Sequence, residues 1–290
     1  PGCQIVANGR MITSQYLKMV KGRELDRYTV YTCDSCDTTF IHRYISDDLE
    51  ESSSTCPNCK KTVDSTGNRF IIPKFGFQFD KDERATINKP RKSRGKTFHY
   101  KGKDNHSSPI RFEFGNLSGT LEYNMDDELI SLSRDRYYIC EKCGFGSKDR
   151  NDLKGHKMPG SNNNMCGMNY GSPYRLGNVF RTDVAILHFE TDLALDKNGH
   201  ISVLYAIIEG LCSALNIERS EITGCLRYNN QSSFDYILFD NTPGGSGYVK
   251  SIRLDSIKTI LEEALRIMKG CDCGGEEGDC CCYGCLCNYS

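Results

Sequence analysis

No stretch of the chain approaches the roughly 18 consecutive apolar residues that a membrane span needs, and mean hydropathy is negative. A membrane-embedded protein is therefore not expected. The start, PGCQIVANGRMITSQ, has no basic region leading into an apolar one, so no secretory signal is read there. Net charge is also nearly absent: 37 Lys and Arg stand against 38 Asp and Glu. That excludes a molecule that binds nucleic acid through its overall field. An intact phosphate-binding P-loop is missing. Gly95-Lys96-Thr97 ends like one, but Pro90 stands where the first glycine belongs and no strand leads into it. Pro1 in place of an initiating Met, and the abrupt stop at Tyr289-Ser290, lead us to expect a piece of a longer protein.

Cysteine is what the sequence has in excess, with 17 in 290 residues. A small secreted protein would spend them on disulfides. This chain is long, lacks an export signal and groups its cysteines closely: Cys33/Cys36, Cys56/Cys59, Cys140/Cys143, Cys271/Cys273 and Cys282/Cys285. Two thiolates from one tight turn suit a metal ion, which points to zinc and a reducing, cytoplasmic compartment. Cys33, Cys36, Cys56 and Cys59 read C-x2-C-x19-C-x2-C, the spacing of a zinc ribbon. Four thiolates leave no open coordination position, so the expected role is structural. Cys140 and Cys143 open a second site, with His156 and Cys166 as the residues that complete it. The last run, CDCGGEEGDCCCYGCLCNYS, assigns Cys271, Cys273, Cys282 and Cys285 to a third. Cys280, Cys281 and Cys287 are left over, which keeps an iron–sulfur cluster open as the alternative there. About three zinc ions are expected in all.

The fold class read from these patterns is α+β: a small β-rich zinc-ribbon region followed by a compact α/β zinc-binding domain. Residues 1–79 form the zinc-ribbon region, 80–108 a basic linker, 109–171 a β-meander with the second zinc knuckle, and 172–290 the compact domain. Asn8-Gly9 suggests a hairpin turn. Residues 69–77, interrupted by Pro73 and Gly76, suit an edge or bulged strand. Several short strands are expected over 109–140, and a central strand, apolar on both faces, over 183–189. Helical spacing of apolar residues marks 201–215 and 255–270. Asp255 is the expected N-cap of the second, and Ile257, Ile260, Leu261, Ala264, Leu265 and Met268 its buried face. The linker holds Lys89, Arg91, Lys92, Arg94 and Lys96, with further cations at Lys101 and Lys103. It reads either as a solvated loop or as a contact for nucleic-acid phosphates. Gly244, Gly245 and Gly247 follow an apolar strand; their N–H groups could cradle an anion, or they could simply permit a tight turn.

The segment from Arg181 to the end resembles the MrfA-type zinc-binding domain found at the C-terminus of certain superfamily 2 DNA helicases, with a related module in the DISARM defence component DrmB. The residues that carry the resemblance are Arg181-Thr182-Asp183, Phe239-Asp240-x-x-Pro243-Gly244-Gly245-x-Gly247-Tyr248, and Cys271-x-Cys273 with Cys282-Tyr283-x-Cys285-Leu286. The resemblance implies an accessory region of an ATP-dependent helicase or translocase, in DNA repair or phage defence. Its partners would be DNA and a helicase ATPase core, in cis or in trans. No DEAD or DEAH acid box and no paired arginine motif occurs, so the ATPase site is not expected in this chain and no catalytic residue is assigned. Two other readings follow from the same residues. One is a module that docks a separate helicase. The other is a metal-dependent nuclease using Asp183 and Asp240 beside the glycine turn.

Overall fold

The computed structural model describes residues 1–20, 25–36, 38–44, 53–64, 69–79, 82–84, 96–100, 108–160, 164–228 and 233–271. Short strands fill the first hundred residues: β1 (Gln4–Ala7), β2 (Arg10–Thr13), β3 (Tyr16–Leu17), β4 (Asp26–Thr32), β5 (Thr39–Tyr44), β6 (Ser53–Thr55), β7 (Thr62–Asp64), β8 (Arg69–Ile72), β9 (Phe77–Gln78), β10 (Asp82–Arg84) and β11 (Lys96–Tyr100). Then come β12 (Ile110–Phe114), β13 (Leu117–Ile139), β14 (Gly146–Ser147), β15 (Ser172–Phe189), α1 (Lys197–Leu215), β16 (Ile222–Tyr228), β17 (Phe234–Asp240) and α2 (Leu254–Lys269). The composition is α+β, as expected. Asn8 and Gly9, both at positive φ, close the β1–β2 hairpin with Ala7 opposite Arg10. That backbone is what a two-residue hairpin needs to match strand twist.

A ten-stranded sheet is organised on β13 and β15, which pair antiparallel from Gly119 opposite Phe189 to Ile139 opposite Ser172. β15 changes neighbour along its length. β8 runs parallel to it at Arg175–Leu176, and β17 antiparallel to it at Val184–His188. β4 and β5 extend the sheet beyond β8, β16 extends it beyond β17, and β11, β12 and β14 pair with β13. The sheet thus takes strands from each of the four expected segments, and backbone hydrogen bonds cross every boundary drawn between them.

Three expectations change accordingly. The 109–140 meander is one hairpin strand followed by a single strand of 23 residues. Register shifts at Asn124/Asp127 and Leu132/Arg136 divide it. At the first, Asp126 takes φ 57°, so a polar run that reads as a turn is a bulge inside a continuing strand. Asp127 is fully buried there and accepts from the Tyr100 hydroxyl at 2.5 Å, Asn124 Nδ2 at 2.9 Å and its neighbour's amide, Glu128 N, at 2.8 Å. The basic linker is not all loop, since Lys96–Tyr100 pairs with Leu129–Ser133 and Asp82–Arg84 with β2. β8 is interior to the sheet, between β15 and β4, and not an edge. Pro73 lies just past its last residue, so the ladder loses no donor.

α1 and α2 cover one face of the β15–β17 region. Ala185, Leu187 and Leu238 pack there with Leu204, Ile208, Leu211, Ile257 and Ile260. On the other face, Val184, Ile186, Ile237 and Phe239 meet Tyr100 and Leu129. The alternation along β15 is the two-sided burial expected of a central strand. α1 begins four residues before its expected start because Asp196 Oδ1 accepts from Gly199 N at 2.8 Å. α2 is capped one turn earlier than Asp255: Arg253 is the N-cap, its N–H donating to Ser256 Oγ at 2.7 Å. Leu265, expected on the buried face, is 45% exposed. Among the described residues no helix is long and apolar enough to cross a membrane.

The packing ranks α2 positions that the sequence pattern treats alike. Ile260→Ala, at a site 1% exposed, should lose about 2–5 kcal/mol of unfolding free energy in urea. Leu265→Ala should change it by no more than about 0.5 kcal/mol.

Candidate metal centres

The first centre hangs on two hairpins. Cys33 and Cys36 sit between β4 and β5, and Cys56 and Cys59 between β6 and β7. Each turn is closed by its own backbone: Cys33 N donates to Thr38 O at 3.1 Å and Cys56 N to Lys61 O at 2.9 Å. The turns bring Cys33 Sγ to 3.4 Å from Cys59 Sγ, and Cys36 Sγ to 3.5 Å from Cys56 Sγ. Tyr31, Phe40 and Val63 pack around them.

The second centre repeats the device at the end of β13. Cys140 N donates to Phe145 O and Gly144 N to Cys140 O, both at 2.8 Å. Gly144 stands at φ 77°, and a Cβ there would lie 2.1 Å from Leu17 O, so no other residue fits the turn. A short 3-10 turn, Arg150–Leu153, then delivers His156, and Cys166 N bonds back to His156 O at 3.0 Å. Cys140 Sγ lies 3.6 Å from Cys166 Sγ, and Cys143 Sγ 3.1 Å from His156 Nε2. His156, set in a polar stretch of sequence, is 6% exposed and stacks on Phe145. Its Nδ1 is 2.7 Å from Leu153 O. A proton on Nδ1 therefore goes to that carbonyl and leaves the Nε2 lone pair facing the sulfurs.

These arrangements fit a tetrahedral zinc ion. In each cluster all four ligand atoms lie within 4.8 Å of one another. The sulfur separations exceed a disulfide's roughly 2.05 Å by far. They approach the edge, about 3.8 Å, of a tetrahedron with metal–sulfur bonds of about 2.3 Å. Proton affinities are split inside the clusters. Burial pushes Cys33 up to about 12. At Cys36 the effect of burial is outweighed by hydrogen bonds from Thr38 and the nearby thiols, which bring it to about 6. The Cys143 thiol, donating to Cys140, holds Cys140 down at about 4 and is itself pushed far up. A divalent cation would let all of these sulfurs bind as thiolates, since ligation and deprotonation are linked.

Sequence spacing thus names both four-residue sets. It does not reveal the supporting groups: the Thr38 hydroxyl 3.2 Å from Cys36 Sγ, the Leu153 carbonyl, and the positive-φ residues Lys60 and Gly144 just after each second cysteine. The glycine in Cys143-Gly144 is a readable signal of that turn; Lys60 is not. In the third set, Cys271 directly follows α2 and its cap Gly270. Cys273, Cys282 and Cys285, with Cys280, Cys281 and Cys287, lie outside the described residues, as do Lys89, Arg91, Lys92 and Arg94. Lys96 opens β11.

The glycine turn differs from the anion cradle considered above, because its donors already have acceptors. Gly244 N donates to Arg181 O at 2.7 Å and Gly245 N to Thr242 O at 3.0 Å. Ser246 N and Gly247 N donate to Asp240 Oδ2 at 2.7 and 2.5 Å, and Val249 N to Asp240 Oδ1 at 3.0 Å. Positive φ at all three glycines shapes this wrap. The anion in the cradle is the chain's own buried carboxylate, which removes Gly244, Gly245 and Gly247 as phosphate contacts. It also removes the paired-carboxylate nuclease. Asp240 is saturated by amides, and Asp183 is held by Lys250 Nζ at 2.9 Å and by Asp126 N at 3.4 Å. Thr182 completes the knot, its hydroxyl 2.9 Å from Asp240 O and 3.1 Å from Thr242 O.

Two measurements follow from this geometry. Asp240→Asn places an amide NH2 against backbone donors and should lose about 3 kcal/mol in urea unfolding. Chelation should free the strand that lies on the second centre: the Leu17 amide bonds to Gly144 O at 2.7 Å and Gly146 N to Gln15 O at 3.0 Å. Hydrogen exchange at Leu17 and Gly146 should accelerate with chelator while the α1 amides keep their protection.

Comparison with curated proteins finds no match. A solved structure described as the DUF1998 helicase MrfA bound to DNA is similar at 12% identity and a TM-score of 0.38, covering 71% of this chain and 24% of that one. The chain therefore spans about a quarter of that protein's length. Residues 203–286 match the family described as the MrfA Zn-binding domain. The matched span takes in most of α1, then β16, β17, the glycine turn, α2 and the cysteine-rich run, so both clusters described above lie before it. On that match, residues 203–286 of this chain are an MrfA-type zinc-binding domain.

Proposed function

We propose that this chain is the zinc-binding accessory region of an ATP-dependent DNA helicase or translocase, contributing structure and DNA contacts while a motor in cis or in trans hydrolyses ATP. The observation that carries this reading is the family match over 203–286, joined to two preformed thiolate-rich clusters outside it. Zinc would occupy three centres: Cys33, Cys36, Cys56 and Cys59; Cys140, Cys143, His156 and Cys166; and Cys271, Cys273, Cys282 and Cys285. Closed centres of this kind supply folding free energy and no open coordination position for chemistry. DNA contact would come from the cations Lys89, Arg91, Lys92, Arg94 and Lys96, since sequence-independent affinity is carried by phosphate neutralisation.

The chain should bind a single-stranded oligonucleotide of about 15 nucleotides at low salt and lose affinity steeply between about 50 and 200 mM. It should hydrolyse no ATP by itself. Absence of any affinity at low salt contradicts the DNA-contact half of the proposal. For the third centre, Cys285→Ser should unfold the C-terminal unit while Cys287→Ser leaves its thermal midpoint in place; equal stability of Cys285→Ser and wild type rejects the ligand set.

A further inference from the structure

A groove of about 610 Å³ lies where three parts of the chain meet. Its lining includes Leu132 and Tyr137 of β13, Leu176 of β15, Ile12 of β2, and Phe77 and Phe79. It is predominantly apolar, and its two phenylalanines are not buried by anything in the chain: Phe77 is 44% and Phe79 50% exposed, with Phe75 at 42% beside them in sequence. Three half-exposed aromatic rings within five residues are unusual on a soluble surface and mark a contact site. Gln78 and Asn178 add side-chain amides to the lining. An amide both donates and accepts, which suits the edge of a base.

The cationic stretch is tied to the rim of this groove at both ends. Phe79 lies shortly before it in sequence, and β10 then pairs with β2, Asp82 opposite Ile12. The chain returns at β11, Lys96 opposite Ser133. Ile12 and Ser133 both line the groove. Between Arg84 and Thr97 the sequence holds five cations and no acid. Topology therefore couples an aromatic groove to a source of positive charge, the two parts of a surface that holds single strands: charge for the backbone and rings for the bases.

We propose that this groove receives unstacked bases of single-stranded nucleic acid, stacked on Phe77 and Phe79, with the adjoining cations drawing the phosphates. The inference rests on the accessory-region reading and names where that region would touch the strand.

The test uses the whole chain and two fluorescent strands of about 15 units, oligothymidylate and an abasic strand of equal length, with binding read by anisotropy. Phe77→Ala and Phe79→Ala alter exposed side chains, and an unchanged thermal midpoint verifies that each variant is folded. Each should weaken oligothymidylate binding by about tenfold. Neither should change the salt dependence, which counts phosphates, nor binding of the abasic strand. Variants that bind oligothymidylate as wild type does overturn the groove while leaving the DNA-contact reading intact. An equal loss on both strands also overturns it, because the rings would then not be acting on bases. Failure of wild type to bind either strand at low salt overturns both readings.

Discussion

Buried thiols crowded to contact distance are the constraint on which the N-terminal half depends. The cluster around Cys33, Cys36 and Cys56 has only Tyr31, Phe40 and Val63 as fully buried apolar partners. So few side chains cannot supply the burial that holds a small β unit together. Four sulfurs within 4.8 Å are at once too close to ionise together without a cation and too far apart to be disulfides. A divalent metal resolves both problems. It also converts four turns, each stable only locally, into two cross-links between strands distant in sequence. The second centre goes further, because β3 lies against its turn. Tyr16 is 2% exposed, rests on Phe145 and donates its hydroxyl to Lys157 O at 3.2 Å. Ligation there would organise the first twenty residues as well as the end of β13.

The C-terminal half is held differently. Asp240, wholly buried, accepts three backbone N–H groups from the turn that follows it. Charge-assisted hydrogen bonds of this type are among the stronger ones a fold can use. A buried carboxylate without them would be strongly destabilising. The residues that make the segment look like its family, Thr182, Asp183, Asp240 and the three glycines, are therefore structural. They fix the exit of β17 and the entry to α2, and with it the position of Cys271.

Much of this was legible in the sequence where the physics is local. Two cysteines two residues apart define a turn and a ligand pair without reference to the rest of the chain. Asn8-Gly9 defines a hairpin, and the α1 and α2 periodicities define their faces. What was not legible is pairing over distance. Nothing near Lys96 announces that it faces Ser133, and nothing near Pro73 shows that its strand lies between two others. The turn-like run at Asn124–Asp127 is a bulge because β15 continues alongside it. The glycine turn shows the same limit. Its sequence suits an anion site, and an anion is there, but the anion is Asp240, six residues before Ser246, and only the folded geometry shows it. Leu265 was misplaced because a helical period alone does not say how far α1 reaches across α2.

The central claim is that zinc holds this chain together at closed, thiolate-rich centres. Native mass spectrometry of the whole chain, with an absorbance spectrum of the same sample, tests it most directly. The account predicts a colourless protein carrying about three zinc ions, with its thiols reduced. A metal-free chain that is fully folded, or a mass deficit from oxidised cysteine pairs, would contradict it; a brown chromophore would assign iron–sulfur chemistry in its place.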